Sequence, residues 1–437
     1  MQSPVSDSRR ALGKREVLRL AKERNVRFVR LSFVDVLGVE KNVSVPLTEL
    51  EAALEGKVTF DGGSIDGFVR GEELDMVLRP DPATFAIYPW SADHAEARLL
   101  CDIAMPDGSP FEGCPRTTLK RAIEEGKASL AGLTVALEVE FYLFEGLDSE
   151  FGSTKTADVG SYFDFSANDR GEDARSAIVS ALQSMGVAVA SSHHEHGPGQ
   201  HEIDFPHGDP LAAADALLTL RSLAKHVAAA RGLEATFMPK PLEDRAGSGL
   251  HVNFRLSPEL HPEILYLIGG LLAHAPALTA VCNSTVNSYK RLVDAWDAPI
   301  YTVWSERSAN ALVRVPPNSS APAQIEMRSP DAAGNPYLSL AVLLGALGDG
   351  LAQQRLPGDP LTGSTYDLPE RERHERGIGT LPKSLRQAIA ELDNDPVIRA
   401  ALGDHIYHAF RDAKLAEYER YRRAVHPWEH RAYLRLY

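Results

Sequence analysis

The run "TVALEVEFYLFE" (134–145) constrains this chain more than any other stretch, because it keeps a strand-like alternation over its length. Successive side chains of an extended strand point to opposite faces. Leu137, Val139, Phe141 and Leu143 therefore make an apolar face, and Glu138 and Glu140 share the other. Two carboxylates side by side repel. On a solvated face that is harmless, whereas on a covered face they need a cation or a raised pKa.

Three other stretches carry the same kind of information. In "HHEHGPGQHEIDF" (193–205), "GPGQ" reads as a turn between two strands, with Glu195 at its entry. Alternation puts Glu202 and Asp204 on one face and Ile203 and Phe205 on the other. By itself the stretch reads as a solvated hairpin end decorated with histidines. "PAQIEMRSPD" places Glu326 and Arg328 on one face, which suits either a surface ion pair or a metal held beside a phosphate. In "TFMPKPLEDRAGSGLHVNFRL" the Gly-Ser-Gly turn at 247–249 leads into a strand beginning at His251, but it matches neither a Walker loop nor a dinucleotide fingerprint. Taken together, the stretches offer five glutamates and one histidine. Such an oxygen-rich set suits Mg²⁺ or Mn²⁺ rather than zinc, and those cations usually partner phosphate. The residues thus point to a metal-dependent ATP-using enzyme, with Arg291, Arg314 and Arg328 as candidate anion clamps.

Around these stretches the 437 residues divide into a small and a large part. Residues 1–13 read as a disordered arm. Residues 14–104 hold an amphipathic helix, two strands joined near Gly38, a short helix at 47–56, and strand-like runs "DMVLRPD", "FAIYPW" and "ARLLCDIAM". After the boundary "PDGSPFEGCPR", residues 105–437 alternate strands (133–144, 187–205, 234–238, 249–256, 300–304, 311–316, 324–328) with helices (116–130, 171–185, 210–231) and end helix-rich beyond 336. This mixture predicts an α+β fold and not a regular βαβ series. Asp plus Glu outnumber Lys plus Arg by 60 to 46, which argues against nonspecific binding to nucleic acid or an anionic membrane. Three cysteines without CxxC spacing indicate a reducing compartment, the cytoplasm by default. The apolar run at 264–281, broken by Gly269, Gly270, His274 and Pro276, is expected as buried helix and not a membrane span.

The collinear series "FDGGSIDGFVRGEELDM", "EVEFYLFE", "SHHEHGPGQHEIDF", "TFMPKP", "GSGLH", "NSYKRL", "IEMRSPDAAGNPYL" and "HPWE" resembles the type I glutamine synthetases from about residue 14 to Tyr437. The resemblance implies an N-terminal β-grasp domain, a larger catalytic domain, and a homo-oligomer of two stacked hexameric rings with active sites shared between neighbours. It implies ATP-dependent ligation of glutamate to ammonia through γ-glutamyl phosphate, with two or more Mg²⁺ or Mn²⁺ ions in each site. One ion would be held by Glu140, Glu195 and Glu202 and another by Glu138, His251 and Glu326, so the histidines of "HHEH" would not be ligands. Glutamate would bind near Gly247, with Arg291 on its α-carboxylate and Arg328 near the reacting carboxylate. Arg314 would contact nucleotide. Asp61 of a neighbouring subunit and Asp297 of the flap would deprotonate ammonium.

Several positions depart from the family pattern. The flap reads "DAWDAP", so Asp297 stands for a glutamate and Trp296 for a tyrosine. Ala246 replaces an asparagine, Ala309 and Gln324 replace arginines, and Arg255 replaces a serine; Arg255 and Arg307 are candidates to restore nucleotide-binding charge. "STYDLPERER" resembles the peptide around an adenylylated tyrosine, here Tyr366, and Arg70 matches a position linked to feedback by glutamine. Two alternatives follow from the departures. One is γ-glutamylation of a larger amine by the same chemistry, and the other is a glutamate- and ATP-binding regulator with impaired catalysis.

Overall fold

The computed structural model describes residues 12–65, 67, 75–90, 95–146, 154–317 and 323–437, with the side chain of Ser166 excepted. Arg70 and most of the arm lie outside them. The first element is the helix Lys14–Glu23, which buries Val17 and Ala21 at i and i+4 and leaves its charged residues outward. Next come β1 (Val26–Val34), β2 (Glu40–Pro46), β3 (Thr59–Asp61), β4 (Asp75–Pro80), β5 (Ala86–Ile87) and β6 (Ala95–Ala104). They form one six-stranded sheet in the order β2-β1-β6-β4-β3, with β5 also on β6. β1 and β6 run parallel while the other pairs are antiparallel.

Both faces of this sheet are covered. Val29, Leu31 and Phe33 pack into the small domain's own core with Leu50 and Leu54. Val34, Val36 and Leu100 join the core of the large domain. Polar contacts fix the junction as well. Buried Arg116 reaches Asp81 (2.8 Å), Asp102 (3.1 Å) and Asp215 (3.1 Å), and the Tyr337 hydroxyl donates to Asp215 (2.8 Å). Asn335 caps the helix Pro336–Ala352 with its side-chain oxygen, and its amide nitrogen donates to the Asp35 carbonyl (3.0 Å).

The large domain carries β7 (Thr134–Glu145), β8 (Ser191–His194), β9 (Gln200–Asp204), β10 (Leu233–Thr236), β11 (Leu250–Arg255), β12 (Trp304–Ser305), β13 (Val313–Arg314) and β14 (Gln324–Met327). Their order is β12-β13-β14-β11-β7-β9-β8, with β10 also on β7. The apolar face rests on helices. Among these, Ile264–Cys282 and Pro336–Ala352 approach closely because a Cβ on Gly270 would lie 2.2 Å from the Ala346 carbonyl oxygen. The apolar run is thus one core helix that continues through Pro276, and 67% of its most apolar window is buried.

Several expected strands are shorter than their hydrophobic pattern, among them 311–316, which is strand only at Val313–Arg314. "FAIYPW" is strand only at Ala86 and Ile87, with one further bond from the Tyr88 N–H to the Glu96 carbonyl (2.9 Å). Residues 300–303 bond instead to the segment near 380, through Thr302 N–H to the Gly379 carbonyl (2.9 Å) and Leu381 N–H to the Ile300 carbonyl (2.8 Å).

Candidate active site

Strand register assembles the site. Glu138 on β7 lies opposite His251 on β11 and Asp204 on β9. One rung along, Glu140 faces Glu202, which in turn faces His193 on β8. Glu326 on β14 faces Asn253 on β11 and Arg314 on β13. All rise from the face opposite fully buried Val139 and Phe141, so the alternation of single strands becomes a two-dimensional array of acids.

Two clusters result. In the first, His251 Nδ1 is 3.0 Å from Glu138 and 3.6 Å from Glu326, and Asn253 donates to the second Glu138 oxygen (3.0 Å). In the second, His193 Nε2 is 3.3 Å from Glu202 and its Nδ1 3.7 Å from Glu195. Glu140 stands between them. Its Oε2 accepts from Gln200 Nε2 (2.9 Å) and the Gly249 N–H (3.0 Å), while Oε1 lies 3.8 Å from His251 Nε2. Each cluster brings three donor atoms within 4.8 Å of one another.

Their electrostatics differ. Burial pushes Glu138 up, but the His251 hydrogen bond and charge outweigh it and hold the carboxyl at about 2. Burial pushes Glu195 and Glu202 well up, and the neighbouring Glu140 charge adds to it. Crowded carboxyls of this kind can ionise together only beside a cation that offsets their repulsion, and their oxygen donors fit a hard divalent ion.

A third acid–imidazole group, Asp158, Asp169, His194 and His201, is fully buried behind these clusters. It serves differently. His194 faces the Asp158 carboxylate with Nε2 (3.0 Å) and the Glu195 carbonyl with Nδ1 (2.7 Å), so both nitrogens donate. Arg175 donates to His201 Nδ1 (2.7 Å), which puts that ring's proton on Nε2. Neither imidazole has a lone pair to offer a metal. The network braces the turn that carries Glu195.

Basic residues border the acids. Arg291 is buried and donates to the carbonyls of Ser329 (2.7 Å), Pro330 (3.2 Å) and Arg328 (3.1 Å). Its guanidinium lies against Gly249, where a Cβ would be 2.5 Å from Nη2, and its stem lies against Gly247 (2.7 Å to Cγ). The Gly-Ser-Gly turn is therefore a requirement of close approach. Arg314 and Arg328 both contact the fully buried Glu326 carboxylate. Arg255 lies directly across the ladder from Gln324, whose amide donates to Asn253 (2.7 Å). Arg307 and Ala309 are exposed on the segment after β12, and the Ala246 carbonyl accepts from the Tyr142 hydroxyl (2.7 Å).

Asp61 and Asp297 stand apart from the array. Asp61, on the edge strand β3, accepts from its own turn, the Gly63 N–H (2.8 Å) and the Ser64 hydroxyl (3.2 Å). Asp297 is exposed on a loop in which it and Trp296 both have positive φ, 55° and 50°. His193, Gln200 and Asn253 are not singled out by the sequence; parity with Glu202 and His251 is the available signal for Gln200 and Asn253, whereas His193 meets Glu202 only through strand register.

Two family models divide the chain: "Glutamine synthetase, beta-Grasp domain" matches residues 25–106 and "Glutamine synthetase, catalytic domain" matches residues 112–433. The chain belongs to the glutamine synthetase family. It is 43% identical to the glutamine synthetase of Thermus thermophilus, with 97% of this chain and 99% of the relative covered. It is likewise 43% identical to that of Methanosarcina mazei, covering 97% and 98%. A solved structure described as "GmaS/ADP complex-Conformation 1" superposes with a TM-score of 0.86 at 30% identity, covering 96% of this chain and 99% of the other. The glutamine synthetase of Plasmodium falciparum shares the fold, with a TM-score of 0.84 at 24% identity over 99% of this chain and all of the other. As a glutamine synthetase family member the chain has the β-grasp and catalytic domains in an α+β fold.

Proposed function

We propose that this protein ligates ammonia to glutamate at the expense of ATP, giving glutamine, ADP and phosphate. The observation that carries the reading is the acid array on one sheet face, bordered by Arg291, Arg314 and Arg328, in a chain that matches named glutamine synthetases over nearly its whole length. Those relatives favour neither ligation of a larger amine nor a non-catalytic regulator.

In this reading the organisation is 14–104 and 105–437. Glu140, Glu195 and Glu202 hold one Mg²⁺ or Mn²⁺, and Glu138, His251 and Glu326 hold another; the repulsion of Glu195 and Glu202 by Glu140, which a cation would relieve, supports this. Bound cations supply Lewis-acid charge that offsets the negative charge of the moving γ-phosphoryl. Arg291 and the backbone near Gly247 bind the glutamate α-carboxylate, and Arg328 orients the γ-carboxylate for attack on ATP. Arg314, Arg255 and Arg307 hold the ATP phosphates. The cross-ladder placement of Arg255 beside Gln324 supports its standing in for the missing arginine. Asp61 from a neighbouring subunit and Asp297 take the ammonium proton, so that neutral ammonia displaces phosphate from γ-glutamyl phosphate. The protein works in the cytoplasm as two stacked hexameric rings. Support comes from exposed Asp61, which among the described residues accepts hydrogen bonds only from its own turn, and from exposed Trp428, Leu434 and Leu436 at the C-terminal end.

Product analysis by mass spectrometry with glutamate, ATP and ammonia, methylamine, ethanolamine or putrescine tests the reading. Glutamine is expected as the dominant product. A strong preference for an organic amine, or ATP-independent product formation, would overturn it.

A further inference from the structure

The flap residues Trp296 and Asp297 both adopt left-handed backbone conformations, which for non-glycine side chains persist only where surrounding contacts impose them. Two contacts do so. The Tyr366 hydroxyl donates to the Ala298 carbonyl (2.7 Å) and lies 3.3 Å from that of Ala295, spanning the strained pair. On the other side the Lys240 ammonium sits 3.7 Å over the Trp296 ring.

The tyrosine is itself held from below. Its ring packs on the small separate core of Tyr301, Val303, Leu361 and Leu368. Its turn is pinned by the Asn310 side chain, which accepts from the Thr365 N–H (2.9 Å) and donates to the Ser364 hydroxyl (3.0 Å). Lys240 is fixed by reciprocal hydrogen bonds with Asn287, its N–H to Asn287 Oδ1 (2.7 Å) and Asn287 Nδ2 to its carbonyl (3.0 Å). Asn287 adjoins the short helix Ser288–Arg291, so the lysine belongs to the frame that carries Arg291.

We infer that Tyr366 and Lys240 form a latch that holds the Asp297 flap in its strained shape, making Tyr366 a positioning residue for the amine acceptor and not a group that touches substrate. The inference rests on the proposed ligase reading for its kinetic consequence and on geometry alone for its structural one. Without the hydroxyl, the Ala298 carbonyl loses its side-chain partner, the Ala295 carbonyl keeps only the Ala298 N–H (3.2 Å), and the loop relaxes toward ordinary φ. Asp297 then no longer meets the amine consistently, and water reaches the acyl phosphate more often.

The test uses the full-length protein with Tyr366→Phe and, as a second variant that leaves the ring packing alone, Lys240→Met. Hydrogen–deuterium exchange read by mass spectrometry should show faster exchange in peptides spanning 293–299, with peptides of β7 and β11 unchanged. For Tyr366→Phe, KM for ammonium should rise up to about tenfold, the worth of one lost hydrogen bond, with KM for glutamate nearly constant. ATP hydrolysis uncoupled from amide formation should rise with it. A purely structural tyrosine would lower kcat or stability without this split. Unchanged flap exchange in both variants would overturn the latch even if the ligase reading stands. Wild-type protein that forms no glutamine would overturn the ligase reading while the exchange arm still decides the latch.

Discussion

Gly249→Ala tests how closely the proposed glutamate pocket is built. Gly249 does not have positive φ, so alanine meets no backbone penalty, and the effect is steric alone. The added Cβ would lie 2.5 Å from Arg291 Nη2 and 3.2 Å from Glu140 Oε1. Ordinary contact needs about 3.5 Å, so the guanidinium must retreat by about 1 Å. A free arginine tip would do this at little cost. Here the tip is pinned by carbonyls at 2.7, 3.1 and 3.2 Å, and retreat lengthens or breaks those bonds. A misplacement of about 1 Å at a substrate-positioning group costs about 100-fold, or roughly 2.7 kcal/mol of transition-state binding. Partial adjustment of the Gly-Ser-Gly turn reduces this, so a loss of about 10- to 100-fold in kcat/KM for glutamate is expected. The assay is steady-state coupled ADP release with glutamate and ATP varied separately. The ATP term should change much less, because the arginines proposed for nucleotide lie on β11, β13 and the segment after β12 and not against Gly249. A glutamate kcat/KM within about twofold of wild type would refute the steric reasoning and remove Arg291 from the pocket.

Other perturbations separate the remaining parts. Glu140→Gln should cut Mg²⁺- or Mn²⁺-supported turnover by about two orders of magnitude or more with unchanged circular dichroism, and near-normal turnover at saturating metal would unseat the metal assignment. Asp297→Glu should improve the ammonia reaction and Asp61→Ala should impair it, as read by glutamine formed per ATP; no change in either removes these acids from the acceptor site. His274 bridges Asp395 (2.7 Å) and Asp349 (2.9 Å); burial pushes its pKa down, but these two partners win and raise it above 6.5. Its stabilising charge is therefore fully present below pH 6.5 and lost as pH rises through the folded value. Thermal midpoints should fall over that window, and less steeply in His274→Gln; parallel profiles would contradict the bridge. If the proposed ring assembly holds, truncation after Val425 should release species smaller than the full-length protein in light scattering, and an unchanged mass would rule out the terminal segment as the tie between rings.

The acid face was legible from local pattern because strand parity is a property of neighbours in sequence. Glu138 with Glu140, and Glu202 with Asp204, share a face whichever strands they pair with, and the same parity would have added Gln200 and Asn253. Register was not legible. That Glu140 meets Glu202, or that Arg255 meets Gln324, depends on how far one strand slides along another, which buried apolar partners such as Val139, Ile203, Val252 and Ile325 settle together. The role of His193 beside Glu195 and Glu202 follows from that register, and so was invisible when the histidines of its run were read one at a time.

Coil segments mark the sharper limit. "DAWDAP" and "STYDLP" have no period, and nothing within either predicts that the Tyr366 hydroxyl reaches back 68 residues to the Ala298 carbonyl. Nor does "TFMPKP" indicate that its lysine lies over Trp296. The sequence by itself determined which strands are half-buried, where the acids cluster and which glycines must stay small only in outline, because these depend on backbone periodicity and residue chemistry. The tertiary structure alone decided which acids share a cation-sized space, why Gly249 cannot bear a Cβ, and what holds the flap in shape. Those depend on packing between distant segments, where a contact exists only once the whole chain has closed around it.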